Sequence, residues 1–242
     1  LDFYFSSDNI FGGYIDKYKP DLCFATDLIS GGDAMFLMAA KKAGIKTIGM
    51  VRSWDCAVNK SLARVLPDKI IVNNQNTKDE MIKHHDTPAE KISIVGFPQF
   101  DPYLKIKPIG REEFFNSIDI GIDKRLIFFA PAGAMINDSD DETAEILQKA
   151  LEEDRIPSDI KFLASNHPQN PADLRSIEND ANFKIFTIGV PFGSNPKANE
   201  LDEESVRQLI NCLFHSEIII HYSSSLGLDA SIFDKPQIMI AF

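Results

Sequence analysis

Short runs of β-branched and aromatic residues alternate with longer amphipathic stretches along the whole chain, the signature of βα units around parallel sheets. Nearly continuous apolar runs predict strands at Asp21–Thr26, Lys46–Val51, Lys69–Asn73 and Ile92–Val95, as suits strands covered on both faces. Helices are expected between them. Asp33 can cap a helix over Ala34–Ala43, which Gly44 ends in the left-handed conformation, and Asn76 can cap a second helix reaching His84. Thr87-Pro88 opens a short helical turn. Periodicity then fails: Gly96, Pro98, Pro102 and Pro108 interrupt any regular element, so a linker is expected over Gly96–Pro108.

After a helix at Arg111–Ser117 the cycle restarts. Strands are expected at Arg125–Ala130, Lys161–Ala164, Phe183–Thr187, Glu217–His221 and Gln237–Ala241, with helices at Asp141–Glu153, Pro171–Asn179, Glu203–Phe214 and Ser225–Phe233. Ser194–Asp202 is polar enough for a mobile loop. The reading is α/β, with two similar domains, residues 1–101 and 102–242.

The 242 residues suit this division, since one domain takes about 100–200. An apolar content of 44% and a charged content of 25% exclude a disordered, collagenous or coiled-coil chain. The net charge of −11 opposes polyphosphate attraction, so nucleic acid is not expected as a partner, and an anionic ligand needs a local positive pocket. Cys23, Cys56 and Cys212 are odd in number and widely spaced, which indicates neither a disulfide framework nor a zinc site and fits a reducing compartment. No apolar run approaches the roughly 18 residues of a membrane span, and no signal peptide shows. The chain begins with Leu1 and stops at Phe242 directly after an apolar run, so a fragment lacking both true termini is expected.

In an open parallel sheet, ligands bind beyond the carboxyl ends of the strands, and four strand-end segments stand out. In the first, Ser223, Ser224 and Ser225 follow a buried strand and open a helix; with the unpaired first-turn N–H groups they suit a diphosphate. The plainer alternative is that Ser223 or Ser224 only caps the helix. Asp229 can accept a ribose or sugar hydroxyl, or can serve as a dipole-stabilising acid. In the second segment His167 follows a strand end and precedes Pro168, so its imidazole can bond a phosphate oxygen or be structural. In the third, the small residues around Gly133 let a ligand approach the backbone. In the fourth, Arg52-Ser53-Trp54-Asp55 joins a cation, the one tryptophan and a carboxylate: Arg52 can hold phosphate, Trp54 can stack on a sugar, and Asp55 can take a proton. Alternatively Arg52 pairs with Asp55 and Trp54 fills a cleft between domains; Lys60 and Arg64 can add positive charge nearby. His84 and His85 read as structural, their imidazolium complementing a helix end, and Asp138–Glu142 as a solvated acidic helix start without metal-ligand spacing. GxGxxG, GxxxxGKS, GxSxG and HExxH do not occur, which removes the dinucleotide, P-loop, hydrolase-elbow and zincin readings.

Taken in order, these features resemble a GT-B glycosyltransferase of the group near the CDP-glycerol glycerophosphotransferases and surface-polysaccharide transferases. The resemblance runs through Lys19-Pro20-Asp21-Leu22, Gly44 to Asp55 ending in VRSWD, Leu66 to Asp101 with its V-G-x-P-x-x-D linker, and Ser216 to Phe242. It implies two Rossmann-like domains with parallel sheets facing across a cleft, the second binding a nucleotide diphosphate and the first presenting the acceptor. His167 is similar to the histidine of the family's HP motif and Ser223 to Ser225 to its diphosphate-binding serines. Asn166 stands where many relatives have Arg, and the G-G-x-x-E loop of the epimerase branch is absent. The expected activity is transfer of a sugar or glycerol-phosphate-like unit from a UDP- or CDP-linked donor to a glycan or lipid-linked acceptor in cell-surface glycan assembly. No metal or further cofactor is expected, and the location is cytoplasmic or at the inner face of the membrane. Two alternatives stand beside it: a UDP-sugar 2-epimerase-like enzyme and a catalytically inactive nucleotide-binding scaffold.

Overall fold

The computed structural model describes residues 10–134, 139–166, 170–191, 199–222 and 224–241. The chain forms two compact units, Leu1–Gln99 and Phe100–Phe242.

In the first unit the order is α1 (Gly12–Tyr18), β1 (Leu22–Ala25), α2 (Gly31–Lys42), β2 (Lys46–Met50), α3 (Cys56–Asn59), β3 (Lys69–Val72), α4 (Gln75–His84) and β4 (Ile92–Ile94). The strands pair in parallel in chain order, with Ile48 opposite Lys69 and Ile70 opposite Ile92. Ala25, Leu28, Leu37, Val51, Ile70, Val72 and Met81 form its core, so helices α2 and α4 bury their apolar stripes against the sheet. Gly44 has φ +72°, the left-handed stop expected after α2.

Both expected caps are displaced. Ser30 occupies the N-cap of α2, while Asp33 lies in its first turn and accepts the Asp27 N–H at 2.5 Å. Asn74, not Asn76, caps α4, its Oδ1 accepting the Thr77 N–H at 2.8 Å. The turn after Thr87-Pro88 is a 3₁₀ segment, Ala89–Lys91. Helices α1 and α3 lay outside the expected pattern, being too short to show a period.

The second unit runs α5 (Asp101–Lys105), α6 (Arg111–Ser117), β5 (Arg125–Ala130), α7 (Asp140–Glu152), β6 (Ile160–Asn166), β7 (Phe183–Thr187), β8 (Val190–Pro191), β9 (Asn199–Glu200), α8 (Glu203–His215), β10 (Ser216–His221), α9 (Leu226–Ile232) and β11 (Gln237–Met239). Its main sheet has the order β11-β10-β5-β6-β7, all parallel, with β5 at the centre. Side chains alternate across that central strand. Leu126 and Phe128 enter one core with Phe115, Leu163 and Leu213, and Ile127 and Phe129 enter the other with Phe162, Ile177 and Ile220. Helices therefore cover both faces.

Three expectations are corrected here. The segment read as a structureless linker contains α5, because Pro102 sits in the first turn, where a missing N–H costs nothing. The expected helix Pro171–Asn179 shrinks to a 3₁₀ turn, Arg175–Ile177. Asn166 accepts the Ala172 N–H, Asp173 the Arg175 N–H and Asp141 the Ser176 N–H, so side chains take the donors a helix would use. Within the segment read as a loop, Asn199–Glu200 forms β9, antiparallel to β8, and Asp202 caps α8 by accepting the Ser205 N–H at 2.8 Å.

Candidate functional site

The carboxyl ends of β5, β6 and β10 surround a pocket of 340 Å³ in the second unit, with Ala132, Asn166, Tyr222, Ser224, Ser225 and Asp229 on its wall. Apart from Asp229, which comes from the first turn of α9, each arrives at a strand end or in the turn that follows, where a parallel sheet leaves room for ligands. Thr143 of α7 shares a 2.7 Å hydrogen bond with the Tyr222 hydroxyl, which fixes that ring.

Ser224 and Ser225 are exposed, and Ser225 stands at the N-cap of α9 without a side-chain cap bond. Among the described residues neither hydroxyl caps α9, and the N-cap position is that of Ser225, contrary to the plainer alternative for Ser224. Helix α9 is seven residues long, so the dipole expected to draw a diphosphate is short, and what the turn offers is hydroxyls. His167 and Ser223 lie outside the described residues; their chain neighbours Asn166 and Ser224 both line the pocket.

Asp229 is tied to the beginning of the unit. The Tyr103 hydroxyl of α5 donates to its Oδ1 at 2.8 Å. Burial pushes the Asp229 carboxyl up to about 6, with the Tyr103 hydrogen bond acting the other way. Burial, and then the Asp229 charge, push the Tyr103 hydroxyl above its ordinary range, so it stays a neutral donor. Nothing in the local sequence around Tyr103 marks it as a site residue.

Gly133 is required by the fold itself. Its φ is +85°, and a Cβ there would lie 2.4 Å from the Asn170 carbonyl oxygen. Its N–H donates to Asp140 Oδ2 at 2.8 Å, and the Ala132 N–H donates to Oδ1 at 3.0 Å. The turn's amides thus serve an internal carboxylate. Asp140 is only 2% exposed, which corrects the reading of its acidic run as a solvated helix start; Asp141, the next residue, accepts both the N–H and the hydroxyl of Ser176.

In the first unit, Arg52 follows β2 and its Nε lies 3.4 Å from Asp27 Oδ2, so its partner is Asp27, not Asp55. Asp55 is held below the usual carboxylate range, first by a Ser53 hydrogen bond and then by Lys60, whose Nζ lies 3.4 Å from Oδ1. A base works best with a proton affinity near the working pH, so this environment weakens Asp55 as a proton acceptor. Trp54 is 51% exposed. Sequence reasoning passed over Asp27, which shows no motif, and read Asp33 only as a helix cap; the two meet because the turn after β1 folds back on itself.

His85 is structural, but as a neutral ring. Nδ1 accepts the Ala63 N–H at 3.1 Å, so the proton on Nε2 donates to the Ala57 carbonyl at 2.8 Å. The three cysteines are buried and free. Among the described residues no group of His, Cys, Asp or Glu could hold a metal ion, and no helix is long and apolar enough to cross a membrane.

No protein-family model and no curated protein sequence matches the chain. Solved structures do. Staphylococcus aureus MnaA, determined with UDP, superposes with a TM-score of 0.63 at 13% identity, covering 96% of this chain and 60% of that one. The UDP-GlcNAc 2-epimerase of Neisseria meningitidis, bound to UDP-GlcNAc, gives 0.62 at 14% identity, covering 95% and 62%. Anabaena HepE in complex with UDP gives 0.53 at 12% identity, covering 94% and 62%. The chain thus spans about three fifths of the length of these proteins. At such identities the likeness shows the fold, the α/β arrangement of two parallel sheets found in GT-B proteins.

Proposed function

We propose that the protein is a nucleotide-sugar enzyme that transfers a sugar, or a glycerol-phosphate-like unit, from a UDP- or CDP-linked donor to an acceptor in cell-surface glycan assembly, without a metal. The second unit takes the nucleotide and the first the acceptor. The observation that carries this reading is the strand-end pocket, where two serine hydroxyls and a carboxylate meet on one wall. In this reading Ser224, Ser225 and the flanking Ser223 bond the diphosphate, Asp229 accepts a ribose or sugar hydroxyl, and His167 donates to the departing phosphate oxygen. Donors aimed at charge that develops in the transition state commonly contribute about 3 kcal/mol each. Asp55 is not assigned the proton-accepting role, for the reason given above.

The fold likeness to a UDP-GlcNAc 2-epimerase supports a second reading, in which the donor sugar is epimerised and no acceptor is needed. Incubation with UDP-GlcNAc alone, followed by product analysis, separates the two: conversion without acceptor establishes epimerisation. For either reading, UDP or CDP should raise the melting temperature, since binding to the folded state stabilises it. His167→Ala should lower turnover about 100-fold while leaving melting unchanged. Full activity in that variant removes His167 from the mechanism.

A further inference from the structure

Tyr103 is fixed more firmly than a residue of a connecting segment needs to be. Its ring packs edge-on against Phe100 at 6.3 Å and Phe233 at 5.8 Å, and Phe233 is the residue that ends α9. Further along the same segment, the Ile109 N–H donates to Asn211 Oδ1 at 2.9 Å and the Ile109 carbonyl accepts from His215 Nε2 at 2.9 Å. The segment from Phe100 to Ile109 is therefore stapled to α8 and α9, and the Tyr103 hydroxyl arrives at Asp229 preorganised.

Among the described residues, Asp229 Oδ2 carries no hydrogen bond, while Oδ1 is occupied by Tyr103. A carboxylate on a pocket wall with one oxygen tied and one open has a single orientation to offer a ligand. Free to rotate, it would have to lose that freedom on binding, at a cost to affinity. Ordinary carboxylate proton affinity would make Asp229 an acceptor throughout the neutral range; burial raises it to about 6, so above that pH the open oxygen is still ionised and accepts strongly.

We infer that Tyr103 is a positioning residue of the pocket, holding Asp229 so that Oδ2 accepts a ribose hydroxyl of a bound nucleoside diphosphate. The inference rests on the nucleotide reading proposed above and adds a determinant of ribose recognition that lies outside the strand-end turns. It also gives the segment that opens the second unit a direct part in ligand selection.

The full chain, its Tyr103→Phe and Asp229→Ala variants and the double variant are titrated calorimetrically with UDP, 2′-deoxy-UDP and 3′-deoxy-UDP, and the native chain also with CDP. The native chain should prefer UDP over at least one deoxy analogue by about tenfold, the scale of one hydrogen bond to a charged group. Tyr103→Phe should weaken UDP about fivefold and shrink that preference, Asp229→Ala should erase it, and Tyr103→Phe should add nothing in the Asp229→Ala background. A Tyr103→Phe chain whose preference equals that of the native chain overturns the inference and leaves the nucleotide reading intact. So does a loss that is equal for all three nucleotides and accompanied by a lower melting temperature, because that is the mark of packing alone. A native chain that binds neither UDP nor CDP overturns both.

Discussion

Asp229 and His215 show how burial sets charge at single residues in opposite directions. For Asp229, a folded-state value of about 6 lies above the ordinary 3.9 of an aspartate, so the fold favours the protonated form. Its stabilising contribution is present below about pH 4 and is lost as the pH rises through 6. Asp229→Asn cannot ionise yet keeps an oxygen for the Tyr103 hydroxyl. Urea unfolding should therefore find the variant about 2 kcal/mol more stable than the native chain at pH 7.5, and the two equal at pH 4; a gap that does not change with pH would contradict the assigned environment. His215 is held low, chiefly by burial, so its contribution is present in the neutral range and is lost on acidification. Its hydrogen bond to Ile109 then competes with the cost of burying charge.

At the scale of elements, side-chain carboxylates decide where helices begin and where they fail. Asp140 opens α7 and also closes the turn after β5 by accepting two backbone N–H groups. Asp140→Ala leaves the buried Gly133 N–H without a partner and frees the half-buried Ala132 N–H, and should lower the unfolding free energy by about 2 kcal/mol, with Asp140→Asn, which keeps one good acceptor, losing about half as much. Equal unfolding midpoints for the native and alanine chains would show the turn to be held by other means. The central strand β5 was legible in the sequence because both of its faces are buried, which leaves an unbroken apolar run, while the other strands showed by their β-branched and aromatic content; Arg125–Ala130 and Phe183–Thr187 match to the residue. The segment Pro171–Asn179 was misread because its donors are taken by Asn166, Asp173 and Asp141, the last of them 35 positions from its donor. Of the pocket, its place at strand ends and the serine turn were legible. Tyr103 was not, since its bond to Asp229 spans 126 positions, and Asp140 was not, since acidic runs ordinarily face water.

For the molecule as a whole, the net charge of −11 means that any anionic ligand is held by local donors against the general field. The second unit's sheet has a further consequence for how that ligand acts. Ser216 of β10 pairs with Leu126 of β5, while α7, β6, β7 and α8 all lie between them in the chain. Closing so long a loop is entropically slow, so β10 is expected to join the sheet late in folding, and the pocket exists only once it has joined. A nucleotide held there, as proposed, then has nothing to grip in the folding transition state. In stopped-flow experiments, saturating UDP should slow unfolding by the full binding factor and leave the refolding rate unchanged, making the ligand a brake on loss of structure and not a template for gaining it.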